Sequence, residues 1–128
     1  MRVLVCGSRD WDDEQAVHAA LYGWYAIANG RGDTFTVIEG GAPGADRCAL
    51  TWPALIPRGP GIRHQQYPAD WDTHGNAAGP IRNERMLRGG RPDLVLAFHE
   101  DPELGRGTAD MVERARKAEV PVYVIGRG

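Results

Sequence analysis

Thr34-Phe35-Thr36-Val37-Ile38-Glu39-Gly40-Gly41-Ala42-Pro43-Gly44-Ala45-Asp46 is a strand feeding a helix through a glycine-rich turn. Residues 34–39 are β-branched, aromatic and apolar, the composition of a buried strand. Residues 46–52 carry helix formers and stop against Pro53. Between them, Gly40, Gly41 and Gly44 allow positive φ and let a ligand approach the main chain closely. The first N–H groups of a helix lack internal partners and attract anions. The turn is therefore a candidate phosphate seat, with a plain βα turn that binds nothing as the bland alternative.

Working outward, the same alternation recurs along the chain. Residues 2–6 form a short apolar run ending at Gly7, suited to a central parallel strand. Asp12 is placed to cap the next helix, where Val17, Ala20, Leu21, Trp24 and Ile27 share one face and Asn29-Gly30 ends it. Pro53, Pro57 and Pro60 make residues 53–60 irregular. Residues 62–67 read as an edge strand with a polar centre, and 68–77 as a loop long enough to need a functional reason. A helix over 78–87, a strand over 94–98, a helix over 108–118 and a strand over 120–125 complete the pattern. The β-α-β-α-β-α-β-α-β order predicts an α/β fold: a single Rossmann-like domain spanning residues 1–128, its parallel five-stranded sheet covered by helices on both faces.

A chain of 128 residues supports one domain and one core. Its 42% hydrophobic and 25% charged residues are ordinary for a globular protein. A formal net charge of −2 and the absence of any Lys/Arg run argue against non-specific nucleic-acid binding, while leaving room for a small anionic ligand. Cys6 and Cys48 are the only cysteines and form no metal-binding spacing; Cys6 reads as a small core residue. No leader or membrane-spanning run is expected, and a reduced, cytoplasmic setting is. No cofactor is expected.

In parallel sheets ligands bind outside the carboxyl ends of the strands. The unusual residues of this chain fall there. Gly7, Ser8, Arg9, Asp10 and Trp11 follow the first strand, and Gly40, Gly41, Ala42, Gly44, Ala45 and Asp46 follow the second. Asp70 and Trp71 follow the third; Gly105, Gly107 and Thr108 follow the fourth. The opposite connections carry nothing comparable. Two glycine-rich helix starts, at 40–46 and 105–108, are expected to hold phosphate, helped by Arg9 and Arg82, with Asn83 beside Arg82. Trp11 or Trp71 would cover a base or ribose, and Asp10, Asp46 or Asp70 would read hydroxyls. Neither GxGxxG nor a Walker A motif is present. Asp70-x-Asp72-x-His74 lacks a second cluster to complete a metal site, so no metal is expected.

Together the motifs resemble a known family. Cys-Gly-Ser-Arg-Asp-Trp (6–11), Glu-Gly-Gly-Ala-Pro-Gly-Ala-Asp (39–46), Pro-Ala-Asp-Trp (68–71), Ala-Gly-Pro-Ile-Arg-Asn-Glu-Arg-Met (78–86) and Gly-Arg-Gly-Thr-Ala-Asp (105–110) are similar to the YspA, or cpYpsA-related, branch of the SLOG superfamily. The resemblance implies a Rossmann-like fold and a nucleotide or nucleotide-derived ligand, sensed or sequestered. It also implies kinship with the LOG phosphoribohydrolases and with the DNA-processing protein DprA. LOG enzymes carry Gly-Gly-x-Gly-Thr-x-x-Glu and an arginine on a helix. Here Arg82 matches the arginine, but Met111 stands at the glutamate position and Asp110 one residue earlier. A phosphoribohydrolase cleaving a nucleoside monophosphate, with Arg82 and Asp110 as catalytic candidates, is thus one alternative. A DprA-like nucleic-acid-binding or non-catalytic interaction module is another. Relatives commonly pair, and Trp24 or Trp52 is a candidate interface residue for a homodimer.

Overall fold

The structure is a computed structural model and describes residues 1–55, 61–101 and 103–126. Pro57 and Pro60, read as chain breakers, lie outside the described residues. The elements are β1 (Arg2–Gly7), α1 (Glu14–Gly30), β2 (Phe35–Glu39), α2 (Ala45–Leu50), β3 (Ile62–Gln66), α3 (Trp71–His74), α4 (Ala78–Gly90), β4 (Leu94–Phe98), α5 (Arg106–Lys117) and β5 (Val122–Ile125), with a 3₁₀ turn at Gly75–Ala77. The five strands lie in the order β3-β2-β1-β4-β5, every neighbouring pair parallel. The α/β reading of the sequence is borne out.

Strand order explains where the helices go. The chain steps from β1 through β2 to β3 in one direction, then crosses back to β4 and on to β5 in the other. Right-handed crossovers taken in opposite directions place their helices on opposite faces. Accordingly Val17, Leu21 and Ala28 of α1 and Ala45, Cys48 and Ala49 of α2 pack with Val3, Val5, Phe35, Val37 and Leu96 on one side. Met86 of α4 and Met111, Val112 and Ala115 of α5 pack with Leu4, Cys6, Ile38, Val95 and Ala97 on the other. β1, β2 and β4 are therefore buried on both faces, which is why they read as unbroken apolar runs.

Several local readings change. Asp13, not Asp12, caps α1 by accepting from the Ala16 N–H at 3.1 Å. α4 runs through Gly89 and Gly90, because those positions lie against Tyr67 and Ile38, where a side chain would crowd the packing. The loop at 68–77 contains α3 and the 3₁₀ turn, and Asp70 is the α3 N-cap, accepting from the Thr73 N–H. The polar centre of β3 is explained by a buried carboxylate: Glu39 is fully buried, and its Oε1 accepts from His64 at 2.9 Å and from Gln66 at 2.7 Å. His18 bridges α1 to α2 through the Cys48 carbonyl, a structural role.

The two candidate interface tryptophans differ in exposure, and Trp52 is not available at the surface. Trp52 is fully buried, edge-on to Tyr22, Tyr25 and Phe35. Trp24 is half-buried and lies against Tyr123 of the edge strand β5. Among the described residues no helix is long and apolar enough to cross a membrane.

Candidate functional site

β1 and β4 are neighbours in the sheet, yet their outgoing connections leave in opposite directions. A crevice opens outside their carboxyl ends, the position where this architecture binds ligands. It is a cleft of about 630 Å³, within the size range of small-molecule sites. Its floor is Cys6, Gly7 and Ser8 from β1 and its following loop. One wall is Ala42, Asp46, Arg82 and Asn83; the other is His99 through Asp101, followed by Gly105 to Thr108 and Asp110.

The walls are tied together by side chains. Arg82 donates from Nη1 to the Gly40 carbonyl at 2.6 Å and from Nε to Asn83 Oδ1 at 3.0 Å. Its remaining N–H groups have no protein partner among the described residues, so the guanidinium is held rigidly with donors to spare. Asn83, buried, donates from Nδ2 to Asp110 Oδ2 at 3.0 Å and to the Gly107 carbonyl at 3.2 Å. Arg114 closes the chain with a 2.9 Å contact to the same Asp110 oxygen. Arg82, Asn83, Asp110 and Arg114 thus form one continuous polar strut from the β2 turn to α5.

The two glycine-rich helix starts behave differently. In the first, the Gly40 and Ala42 N–H groups donate to Asp46 Oδ2 at 3.0 and 3.2 Å, Gly41 donates to Glu39 Oε2, and Ala45 donates to the Ser8 carbonyl. Asp46 and Glu39 thus take the Gly40, Gly41 and Ala42 amides within the turn itself. Gly40, Gly41, Gly44 and Ala45 shape this wall without lining the cleft, which only Ala42 and Asp46 reach. Gly44, at φ 80°, is required because a Cβ there would stand 2.1 Å from the Ser8 carbonyl oxygen. At Gly40 a Cβ would stand 2.2 Å from Arg82 Nη1, so a side chain there would displace the guanidinium.

The second start stays open. Gly105 precedes α5, whose Arg106, Gly107 and Thr108 amides have no hydrogen-bond partner among the described residues. Thr108 is buried at the cleft wall. Here the helix dipole and three amides face the cavity without a competing side chain.

Burial drives the unusual electrostatics of Asp46. Desolvation pushes its carboxyl from the ordinary 3.8 up to about 7, opposed by the Ala42 N–H, reinforced by Glu39, and opposed again by Arg82 and the Gly40 N–H. Burial likewise pushes the Cys6 thiol far up, so it is an inert floor residue rather than a nucleophile.

Other predicted residues divide in the same way. Trp11 does not line the cleft; it is 2% exposed, packs on Phe98 and donates from Nε1 to the Asp13 carbonyl. Asp70, the α3 cap, does not line it either. Trp71 and Arg9 do: Trp71 is exposed, and the Arg9 guanidinium lies 5.3 Å from its ring centroid at the cleft mouth. Asp10 lines the cleft with its N–H on Ser8 Oγ, and Ser8 Oγ donates to Glu100 at 2.6 Å. Asp110 faces the cleft, whereas Met111 is fully buried in the core.

Sequence reasoning missed His99, Glu100, Asp101 and Arg106, although all follow β4 and the carboxyl-edge rule points to them. His99 is buried with Nδ1 3.1 Å from the Asp101 amide and Nε2 3.0 Å from the Gly105 amide. A neutral imidazole accepts at only one nitrogen, so its tautomer selects which amide is held. Among the described residues no group of three or more His, Cys, Asp or Glu side chains is placed to hold a metal.

Fold and cleft define the class: a Rossmann-like α/β domain with a ligand-sized crevice at its topological switch point. Residues 1–74 match the YspA, cpYpsA-related SLOG family. The chain is also 37% identical over 131 residues to the Gene 61 protein of Mycobacterium phage D29, covering 98% of this chain and 96% of that one. The chain belongs to the YspA, cpYpsA-related SLOG family.

Proposed function

We propose that the protein binds a nucleotide or nucleotide-derived small molecule in this cleft. The observation that carries the reading is the convergence of two anion-directed groups at the switch point. These are the unpartnered amides at the start of α5 and the spare donors of Arg82. A phosphoryl group meets the α5 amides, the Thr108 hydroxyl and Arg82. The Trp71 face and Arg9 accept a base at the cleft mouth, and Asp10 takes ribose hydroxyls. Membership of the SLOG family, which points to nucleotide-related ligands in general, supports the assignment. Titration calorimetry with AMP, ADP-ribose and ribose 5-phosphate tests it. Binding lost in Arg82→Ala is expected; no binding of any of the three in the wild type would overturn it.

A second reading is favoured by one observation. Asp110, not Met111, faces the cleft, so a carboxylate is available near the ribose although the glutamate of the LOG motif is replaced. In a phosphoribohydrolase, Asp110 would stabilise positive charge at the ribose while Arg82 holds the phosphate. Its Oδ2 is engaged by Asn83 and Arg114, leaving Oδ1 for that task. Steady release of adenine from AMP, abolished by Asp110→Asn, would establish turnover; AMP bound and recovered intact would leave the binder reading alone.

A further inference from the structure

Asp46 is, among the described residues, the one buried carboxylate on the cleft wall. Its two oxygens differ. Oδ2 accepts from the Gly40 and Ala42 amides. Oδ1 has no hydrogen-bond partner among the described residues and is not among the buried polar atoms sealed from solvent. The surface it meets is therefore the cleft.

The groups facing Asp46 are the Cys6 thiol from β1, the Glu39 carboxylate from β2 and the Arg82 guanidinium from α4, with His64 of β3 beyond Glu39. Glu39 and Arg82 act on Asp46 in opposite senses in this corner, and an incoming anion adds to the repulsion from Glu39. A proton on Asp46 relieves it. That proton belongs on Oδ1, because the lone pairs of Oδ2 are engaged by two amides.

We propose that Asp46 recognises the ligand as a carboxylic acid, donating from Oδ1 to a ligand acceptor oxygen, so that binding an anionic ligand takes up one proton. The proposal rests on the nucleotide reading of the cleft in requiring an anionic ligand. The burial that holds this carboxyl near 7 makes the acid form accessible at neutral pH before any ligand arrives. Affinity is then flat below neutrality and falls about tenfold per pH unit above it, until the carboxyl of the complex itself ionises.

Calorimetry with AMP at pH 8, in two buffers of different ionisation enthalpy, counts the protons directly. AMP itself contributes little there, since a phosphate monoester loses its second proton at about pH 6. Uptake close to one proton is expected for the wild type and none for Asp46→Asn, whose affinity also loses its slope with pH. Binding by the wild type without proton uptake overturns the Asp46 proposal and leaves the nucleotide reading standing. Failure of AMP, ADP-ribose and ribose 5-phosphate to bind overturns the nucleotide reading, and the Asp46 proposal with it. Carboxyl carbon-13 resonances of the free wild-type protein supply a readout independent of the variant's folding. Asp46 titrating with a midpoint below pH 5 would overturn the proposal.

Discussion

The turn after β2 and the turn after β4 have the same kind of sequence, glycine-rich and leading into a helix, yet they do opposite work. At 40–46 the Asp46 and Glu39 carboxyl groups accept from the Gly40, Gly41 and Ala42 amides, and the turn is tied to itself. At 105–108 no acid side chain reaches back, and α5, a twelve-residue helix, presents its amides to the cleft. α2 has only six residues and a correspondingly small dipole. A glycine-rich helix start thus presents its amides to the cleft only where the chain has not already supplied an acceptor for them. Position in the sheet adds to this: β4 borders the switch point, whereas β2 lies one strand away from it.

The comparison breaks most visibly at its glycines. Gly44→Ala drives a Cβ into the backbone of Ser8 and Arg9 at a positive φ. It should cost roughly 4 kcal/mol or more of folding stability. Gly107→Ala, with nothing within 4 Å of the added carbon, should change stability by less than about 1 kcal/mol. Urea unfolding of the two variants decides whether the first turn is the rigid one.

Asp46 gives the next largest effect. The folded chain holds a proton on this carboxyl up to about pH 7, while the unfolded chain gives it up near 3.8. Stability therefore declines as pH rises between those values and is flat above them. Asp46→Asn should abolish that decline and exceed the wild type at pH 8 by roughly 4 kcal/mol. Thermal unfolding from pH 4 to 8 measures it, and a wild-type curve that rises across the window would show Asp46 to be an ordinary ionised cap.

Arg82 links the closed turn to the open one. Arg82→Ala removes charge-assisted bonds to a phosphoryl group and should weaken AMP binding about 100-fold. Trp71→Ala, at an exposed position, should cost about tenfold in AMP affinity with little change in melting temperature. A larger loss for a base-bearing ligand than for ribose 5-phosphate would assign Trp71 to the base.

Much of this molecule is legible in the chain itself. The strands show because β1, β2 and β4 are buried on both faces and so contain almost no polar residue. The β3 edge shows because Arg63-His64-Gln65-Gln66 departs from that rule. The cleft lining shows in part, because unusual residues after parallel strands must share one edge; Ser8, Asp10 and Thr108 are found that way. Trp11 shows how the rule misleads: it too follows β1, but its ring turns into the core against Phe98. Trp52 misleads similarly, since it lies just past the end of α2, where no helical period marks a buried face.

By itself, then, the sequence determined the order of elements, the parallel sheet and the edge at which the cleft opens. Each depends on polarity patterns and chain breakers within a few residues of one another. Only the tertiary structure decided which glycine turn is open, which acid is buried and which helical carboxylate faces the cavity. Those outcomes depend on groups brought together across the fold, such as Arg82 against Gly40 or Asn83 against Asp110. They also depend on burial, since the same carboxyl titrates differently once water is excluded from one side of it.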